Sequence, residues 1–432
     1  MMGRRSGQFR HMFWVPLAYA VAGIALGLAF PRLEARWFPD FGAAVSTGST
    51  QVILSTIASG MMALTAIVFS VAFVMVQFSA TAYSPRLVLW LARSAVINHS
   101  IGIFTSTFLY ALAALAWVDR NGSGQVPFLT VWFAVLLLFV SVVFFVLLIE
   151  KIGMLQITRV LSFTGDEGRR VIDRMYPQAE PSSPAPAPNS PDESERAPVL
   201  VMLKHRGGPR VVQAVQTAAL LALAQRSDGV VVLELAVGDT VMDGMPILRV
   251  RGAGARPPES RLRRAVVLGP ERTFEQDPKY ALRLLVDVAI KALSPAINDP
   301  TTAVQALDQI EDLLLRMGQR NLDVGRVRDA AGRLRLVMPV PTWQDLVVLA
   351  LDEIRFCGAT SIQVMRRTLA LLEDLKTQVR PDRRAALEYY QARVDKGIRR
   401  DLNDADDQHD ALERDRQGLG LSRGRGPSES DA

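Results

Sequence analysis

Two groups of polar residues in this 432-residue chain stand where chemistry could be done. Arg283, Asp287 and Lys291 recur every four residues, which places them on one face of a helix. Such a ladder either forms weak i,i+4 ion pairs of ~0.2–0.5 kcal/mol each or presents a polar groove or subunit contact. Just downstream, Ser294-Pro295-Ala296-Ile297-Asn298-Asp299-Pro300-Thr301-Thr302 brings Asn298, Thr301 and Thr302 to a helix N-terminus, where backbone amides can hold an anion. Capping by Asp299 with Pro300 at the first helical position accounts for most of the same residues.

The second group is embedded in apolar sequence: Ser55, Thr56, Ser59, Gly60, Thr65, Ser70 and Gln77. Ser55, Ser59, Ala63 or Ala66, and Ser70 fall close to one face at helical spacing. In a membrane helix, small and hydroxyl residues let backbones approach and hydrogen-bond across the contact. The same face could line a water-filled path around an oligomer axis, with Gln77, Ser79 and Thr81 at its cytoplasmic mouth.

Several chemistries are excluded by pattern. The chain has no GxxxxGK[ST] phosphate loop, no HExxH pair and no GxSxG elbow. Its four histidines, His11, His99, His205 and His409, are too dispersed for a metal cluster. Cys357 is the single cysteine, so no intrachain disulfide or CxxC motif exists, and a buried structural thiol is expected. The net charge of +6 is spread among interleaved acids rather than gathered in a stripe, which argues against nucleic acid.

Elements that position these residues divide sharply at about residue 150. Before it, four runs meet the ~20 apolar residues needed to span a ~30 Å hydrocarbon core: residues 13–30, 52–78, 99–118 and 128–149. The first follows Arg4, Arg5 and Arg10 like a signal peptide, but its Pro31-Arg32-Leu33 exit lacks a small-x-small cleavage site, so a retained helix is expected. No Asp, Glu, Lys or Arg falls inside these spans, which weighs against coupled transport. Arg86, Arg93, Lys151, Arg159, Arg169 and Arg170 join the N-terminal arginines on one side; Arg32, Arg36 and Arg120 on the other each sit near an acid. Both termini are therefore expected in the cytoplasm of a bacterial inner (plasma) membrane protein.

A transmembrane domain over 1–155 is expected to lead into a juxtamembrane basic helix (156–176), placed to lie on anionic lipid or stack beneath the bundle. A Pro-rich linker (177–198) follows. Residues 199–270 show β periodicity at Val199-Leu203, Val211-Val215, Val230-Leu235 and Ile247-Val250, with a short helix at Thr217-Gln225. Gly229 to Leu248 resembles half of a barrel-sandwich unit of the biotinyl and lipoyl kind. No lysine occurs between Lys204 and Lys279 to carry such a group, so only the shape is implied and no cofactor is expected. A helical domain (271–400) is announced by Asp277-Pro278, Asp299-Pro300 and the capping-box pair Thr342 and Asp345. The remainder, 401–432, reads as a charged, largely disordered tail. The expected fold class is thus an α-helical membrane bundle of about four spans plus a soluble α+β region with a small barrel-sandwich-like β unit and a helical C-terminal part.

Three segments carry a family resemblance: Met61-Met62-Ala63-Leu64 through Phe78-Ser79-Ala80-Thr81-Ala82-Tyr83-Ser84-Pro85-Arg86; Arg272-Thr273-Phe274-Glu275-Gln276-Asp277-Pro278; and Ala289-Ile290-Lys291-Ala292-Leu293-Ser294-Pro295-Ala296-Ile297-Asn298-Asp299-Pro300-Thr301-Thr302-Ala303. Together they resemble the bacterial membrane proteins grouped as domain of unknown function 2254. The resemblance implies a membrane protein and no particular activity. The residues point to a non-enzymatic, homo-oligomeric channel or pore-like protein with a cytoplasmic vestibule. The alternative is a membrane-anchored scaffold or sensor whose cytoplasmic domain binds a partner or small ligand. The lipid bilayer is the one certain partner on either reading; no nucleic acid is expected, and the permeant ion or ligand has no signature.

Overall fold

Long apolar runs become helices in a bilayer because i→i−4 bonding satisfies every backbone group without water. In the computed structural model, which describes residues 8–37, 46–82, 95–118, 128–153, 156–178 and 197–420, the runs form α1 (Gln8–Trp37), α2 (Thr47–Ala82), α3 (Ala95–Leu115) and α4 (Phe128–Gly153). All four are long and apolar enough to cross a membrane. The chain forms two compact units, Met1–Val160 and Leu161–Ala432.

In the first unit, α3 is packed by all three other helices and buries Phe104, Tyr110, Ala111 and Ala114 completely. Gly23 and Gly27 make the α1 contact possible, since a Cβ at either would overlap backbone atoms of Ser106 or Tyr110. Several polar groups inside the bundle are bonded in pairs. The Thr107 and Ser141 hydroxyls meet at 2.9 Å between α3 and α4, and Tyr19 Oη lies 3.2 Å from His99 Nδ1.

One expectation needs correction here. Helix α1 does not stop near residue 30 but continues to Trp37, which carries Glu34 into the bundle at 6% exposure. Its carboxylate accepts from the Leu129 amide at 2.7 Å, the Thr130 amide at 2.8 Å and the Thr130 hydroxyl at 2.7 Å. These are orphan donors at the N-terminus of α4, where a negative charge is favoured. An ionisable side chain therefore does lie within the first span, in the role of a cap supplied by another helix.

The second unit takes in α5 (Ile157–Met175) from Leu161 onward. Its apolar face, with Leu161, Val171 and Ile172, is buried. Arg169 pairs with Asp312 at 2.7 Å, and Arg320 donates to the Tyr176 carbonyl at 2.8 Å and pairs with Asp173 at 2.5 Å. The apolar stripe of the basic helix is thus covered by the unit's own side chains.

The β region comprises β1 (Val199–Lys204), β2 (Arg210–Val215), β3 (Gly229–Leu233), β4 (Thr240–Val241), β5 (Pro246–Gly252), β6 (Val266–Gly269), β7 (Arg326–Arg328) and β8 (Leu334–Val337). They form a five-stranded sheet, β1-β5-β3-β8-β7, and a three-stranded sheet, β4-β2-β6. With α6 (Thr217–Arg226) and α7 (Glu259–Ala265) the sheets enclose one core that includes Leu203, Val212, Leu220, Val231, Leu248, Leu262 and Leu336. The β unit therefore does not end at residue 270. Strand β8 pairs in parallel with β3, a long-range partnership that a four-residue strand within helical sequence does not advertise.

The helical part contains α8 (Pro278–Ala292), α9 (Pro300–Gly318), α10 (Trp343–Cys357), α11 (Ile362–Gln378), α12 (Arg384–Asp401) and α13 (Ala405–Leu412). The Thr342–Asp345 capping box opens α10 as expected. Helix α11 is central, burying Val364, Met365, Leu371, Leu372 and Leu375. Its Arg367 is also buried, because it pairs with Asp308 and Glu311 of α9. The expected disordered tail requires correction as far as residue 420: Glu413 pairs with Arg366 at 3.2 Å, Arg414 with Glu373 at 3.3 Å, and Gly418 lies against Val304. Charge in this segment is complementary to α11, which low apolar content alone conceals. Residues 421–432 and most of the Pro-rich linker, 179–196, lie outside the described residues.

Candidate functional site

The face of α2 turned toward the rest of its unit carries Thr50, Leu54, Ile57, Ala58, Met61 and Val68, all buried. At 3.6 residues per turn, Ser55, Ser59 and Ser70 project from the opposite face, and all three are exposed. Ser55 donates to the Val52 carbonyl at 3.1 Å and Ser59 to the Ser55 carbonyl at 2.8 Å. Each hydroxyl proton is thus satisfied within the helix, while the oxygen lone pairs remain turned outward. Gly60 has no atom within 4 Å of where a Cβ would stand. The described helices of the same unit pack on the other side of α2. Gln77 is exposed too, beyond the apolar stretch Thr47–Val71. The side chains of Ser79 and Thr81 lie outside the described residues.

The polar groups of the second unit are brought together differently from what their spacing suggests. Arg283 is held by Asp287 at 2.6 Å and, through two bonds of 2.5 and 2.9 Å, by Glu353 of α10. The Glu353 bonds first, and Asp287 as well, hold its guanidinium above the ordinary arginine range. The ladder is therefore an internal brace between α8 and α10; Lys291, half-buried, lies one turn beyond. At the following turn Asp299 accepts from the Thr302 amide at 3.1 Å and hydroxyl at 2.6 Å, so capping occupies Thr302. Asn298 adopts φ +49° with its amide donating to the Ser294 carbonyl at 2.8 Å; Asn298 and Thr301 are exposed. An open cleft of ≈520 Å³ is lined by Gln178, Asp312, Leu315, Arg316, Gln319 and Arg320. Its guanidiniums already have carboxylates, Arg316 at 3.1 Å from Asp312 and Arg320 at 2.5 Å from Asp173. Cys357 is exposed rather than buried, as the last residue of α10. Among the described residues, no group of three or more His, Cys, Asp or Glu side chains is placed to hold a metal ion.

Residues 272–277 have a larger structural role than sequence reading assigned. The Gln276 side chain accepts from the Val215 amide at 2.8 Å and donates to the Val215 carbonyl at 3.2 Å, completing the end of β2. Phe274 meets Phe163 of α5 and Tyr280 of α8 at ring separations of 6.4 and 5.0 Å, and Arg174 donates to the Glu275 carbonyl at 3.3 Å. Asp277 was expected to cap α8, yet its side chain makes no cap bond. It is turned instead beneath Gly238, where any Cβ would overlap its Oδ2 and where φ is +95°. The Asp-Pro signal is the same at 277 and 299; only the first is pulled away by tertiary packing.

Comparison with known proteins bears on the whole architecture. The model of the DUF2254 family, described as predicted membrane protein, matches residues 10–374. Uncharacterized proteins of Mycobacterium bovis and of Mycobacterium tuberculosis strain H37Rv are each 28% identical over 371 residues, covering 83% of this chain and 70% of the relative. No solved structure matches. With four apolar helices followed by a mixed α+β unit, and a family match spanning both, the chain belongs to the DUF2254 family of predicted membrane proteins.

Proposed function

We propose that the protein is a non-enzymatic, homo-oligomeric, pore-like protein of the bacterial inner membrane, in which copies of α2 turn the Ser55, Ser59 and Ser70 face toward a shared axis. The observation that carries this reading is the outward position of that face, opposite the packed face of α2. Hydroxyls and small side chains favour close approach of a second helix, and outward lone pairs suit contact with water in a pore better than hydrocarbon. The distribution of basic residues supports cytoplasmic placement of both termini. Further copies of the chain and the bilayer are the partners; no cofactor or nucleic acid enters the reading. The alternative of an anchored scaffold or sensor loses support because Arg283, Asp287 and Thr302 are engaged internally.

The test is single-channel recording of the purified protein in planar bilayers, with its mass measured in nanodiscs. A defined oligomer with discrete conductance, altered when Ser55, Ser59 and Ser70 are replaced together by Leu, is the expected result. A silent monomer, or a conductance indifferent to the triple substitution, overturns it. A fluorescent reporter that matures only in the cytoplasm, fused to the C-terminus, checks the orientation.

A further inference from the structure

We propose that Asp277 is a proton-sensing clasp, closed when protonated and loosened when ionised, at the junction of α5, the β region and the helical part of the soluble unit. The inference rests on the soluble unit alone and is independent of the pore reading.

Its position is unusual for a carboxylate. Asp277 is 1% exposed, and neither carboxylate oxygen has a hydrogen-bond partner. The Tyr280 amide donates to the Asp277 backbone carbonyl at 3.1 Å, and the Tyr280 and Lys279 amides at the start of α8 favour the ionised carboxylate less than its burial disfavours it. A buried charge without partners is costly, whereas a neutral carboxyl of the same shape is far cheaper to keep. Three parts of the unit meet around it. Gly238, on the turn between β3 and β4, covers Oδ2; Gln276 beside it holds the end of β2; Phe274 and Arg174 tie the same segment to α5.

The charged and titratable groups facing it do not cancel its burial. Desolvation raises the group to about 6, outweighing the Lys279 and Arg272 charges and the Tyr280 and Lys279 backbone amides, all of which favour the ionised form. From the end of α5, Tyr176 faces Asp277; burial first, and the Asp277 charge second, hold its hydroxyl above the ordinary range, with Arg383 opposing. On the Gly238 turn, the Asp239 carboxylate is occupied in accepting from the Ala236 amide at 2.8 Å. A folded-state value above the unfolded one means that the folded joint binds the proton more tightly. The joint is therefore tightest in mild acid and is weakened as pH rises through about 6.

Hydrogen exchange of the full chain in nanodiscs between pH 5 and 8, corrected for intrinsic rates, tests this. The reporting amides are Tyr176, Gly238 and Tyr280, which donate to Ile172, Val212 and Asp277 carbonyls; Gly358, bonded to Ile354 at the end of α10, is the control. Protection at the first three is expected to fall roughly tenfold across the range, the order of change that one pKa unit of linkage supplies, while Gly358 stays level. In Asp277→Asn the step disappears and protection stays at the acid level. A flat wild-type profile, a step shared equally by Gly358, or a step that persists in Asp277→Asn overturns the proposal. Should the variant fail to fold, the wild-type profile against its internal control still decides.

Discussion

The two units treat buried polar groups in opposite ways. Among the described residues of the membrane unit, buried hydroxyls such as Thr107 and Ser141 are satisfied by their own helix or by one neighbour, Thr50 being an exception, and the one buried carboxylate described, Glu34, has three donors. In the soluble unit full charges are buried in networks, with Arg367 between Asp308 and Glu311, and one carboxylate, Asp277, is left without any. The contrast follows from solvent. Hydrocarbon offers no water to rescue an unmade bond, so local bonding is favoured there. A soluble domain can hold an unsatisfied acid because binding a proton from adjacent water neutralises it.

Breaking Glu34 sharpens the contrast most. Glu34→Leu leaves two amides and a hydroxyl at the start of α4 unpaired, and is expected to cost about 4.5 kcal/mol, the low end of three hydrogen bonds to a charged group at ~1.5–3 kcal/mol each; thermal unfolding in detergent or nanodiscs measures it. Next, Arg367→Met strips Glu311 of its counter-charge inside the soluble unit, at an expected ~3 kcal/mol, the low end for removing one partner of a buried pair; urea unfolding of the full chain checks it.

Asp277→Asn has the opposite sign at neutral pH. Raising a carboxyl from 3.8 to about 6 corresponds to about 3 kcal/mol. This stabilisation is fully present below the unfolded value and lost as pH rises through the folded one. With imperfect packing of the amide, the variant is expected to be about 2 kcal/mol more stable than wild type at pH 8 and no more stable at pH 4. A pH series of melting temperatures reads the crossover. The smallest effect is expected at Thr107→Val, about 0.6 kcal/mol, since a membrane interhelical hydrogen bond averages that much; a loss as large as that at Glu34 would break the comparison.

Legibility in the sequence followed the range of the interactions. The four spans were readable because bilayer thickness imposes a length and an apolar composition that no tertiary contact can waive. Strands β1, β2, β3 and β5, helices α8 to α11 and the Thr342 cap were readable because alternation, period and capping act over a few residues. Strands β7 and β8 were not, because these three- and four-residue strands exist through the pairing of β8 with β3 and of β7 with β8. The segment 401–420 was not, because its order comes from charges on α11. At the candidate face the sequence placed Ser55, Ser59 and Ser70 on one side of a helix but could not say which side the chain itself would cover.

From the sequence alone came the membrane class, the span number, the soluble α+β remainder and the family, all consequences of composition, periodicity and short-range motif. Tertiary structure decided which polar residues are free. It made Glu34 a cap for another helix, closed Arg283 and Asp287 into a brace with Glu353, left the serine face of α2 outward and stranded Asp277 without a partner. The reason is that satisfying a polar group depends on what lies within about 3 Å of it in space, and for these residues that neighbour is distant in the chain or absent.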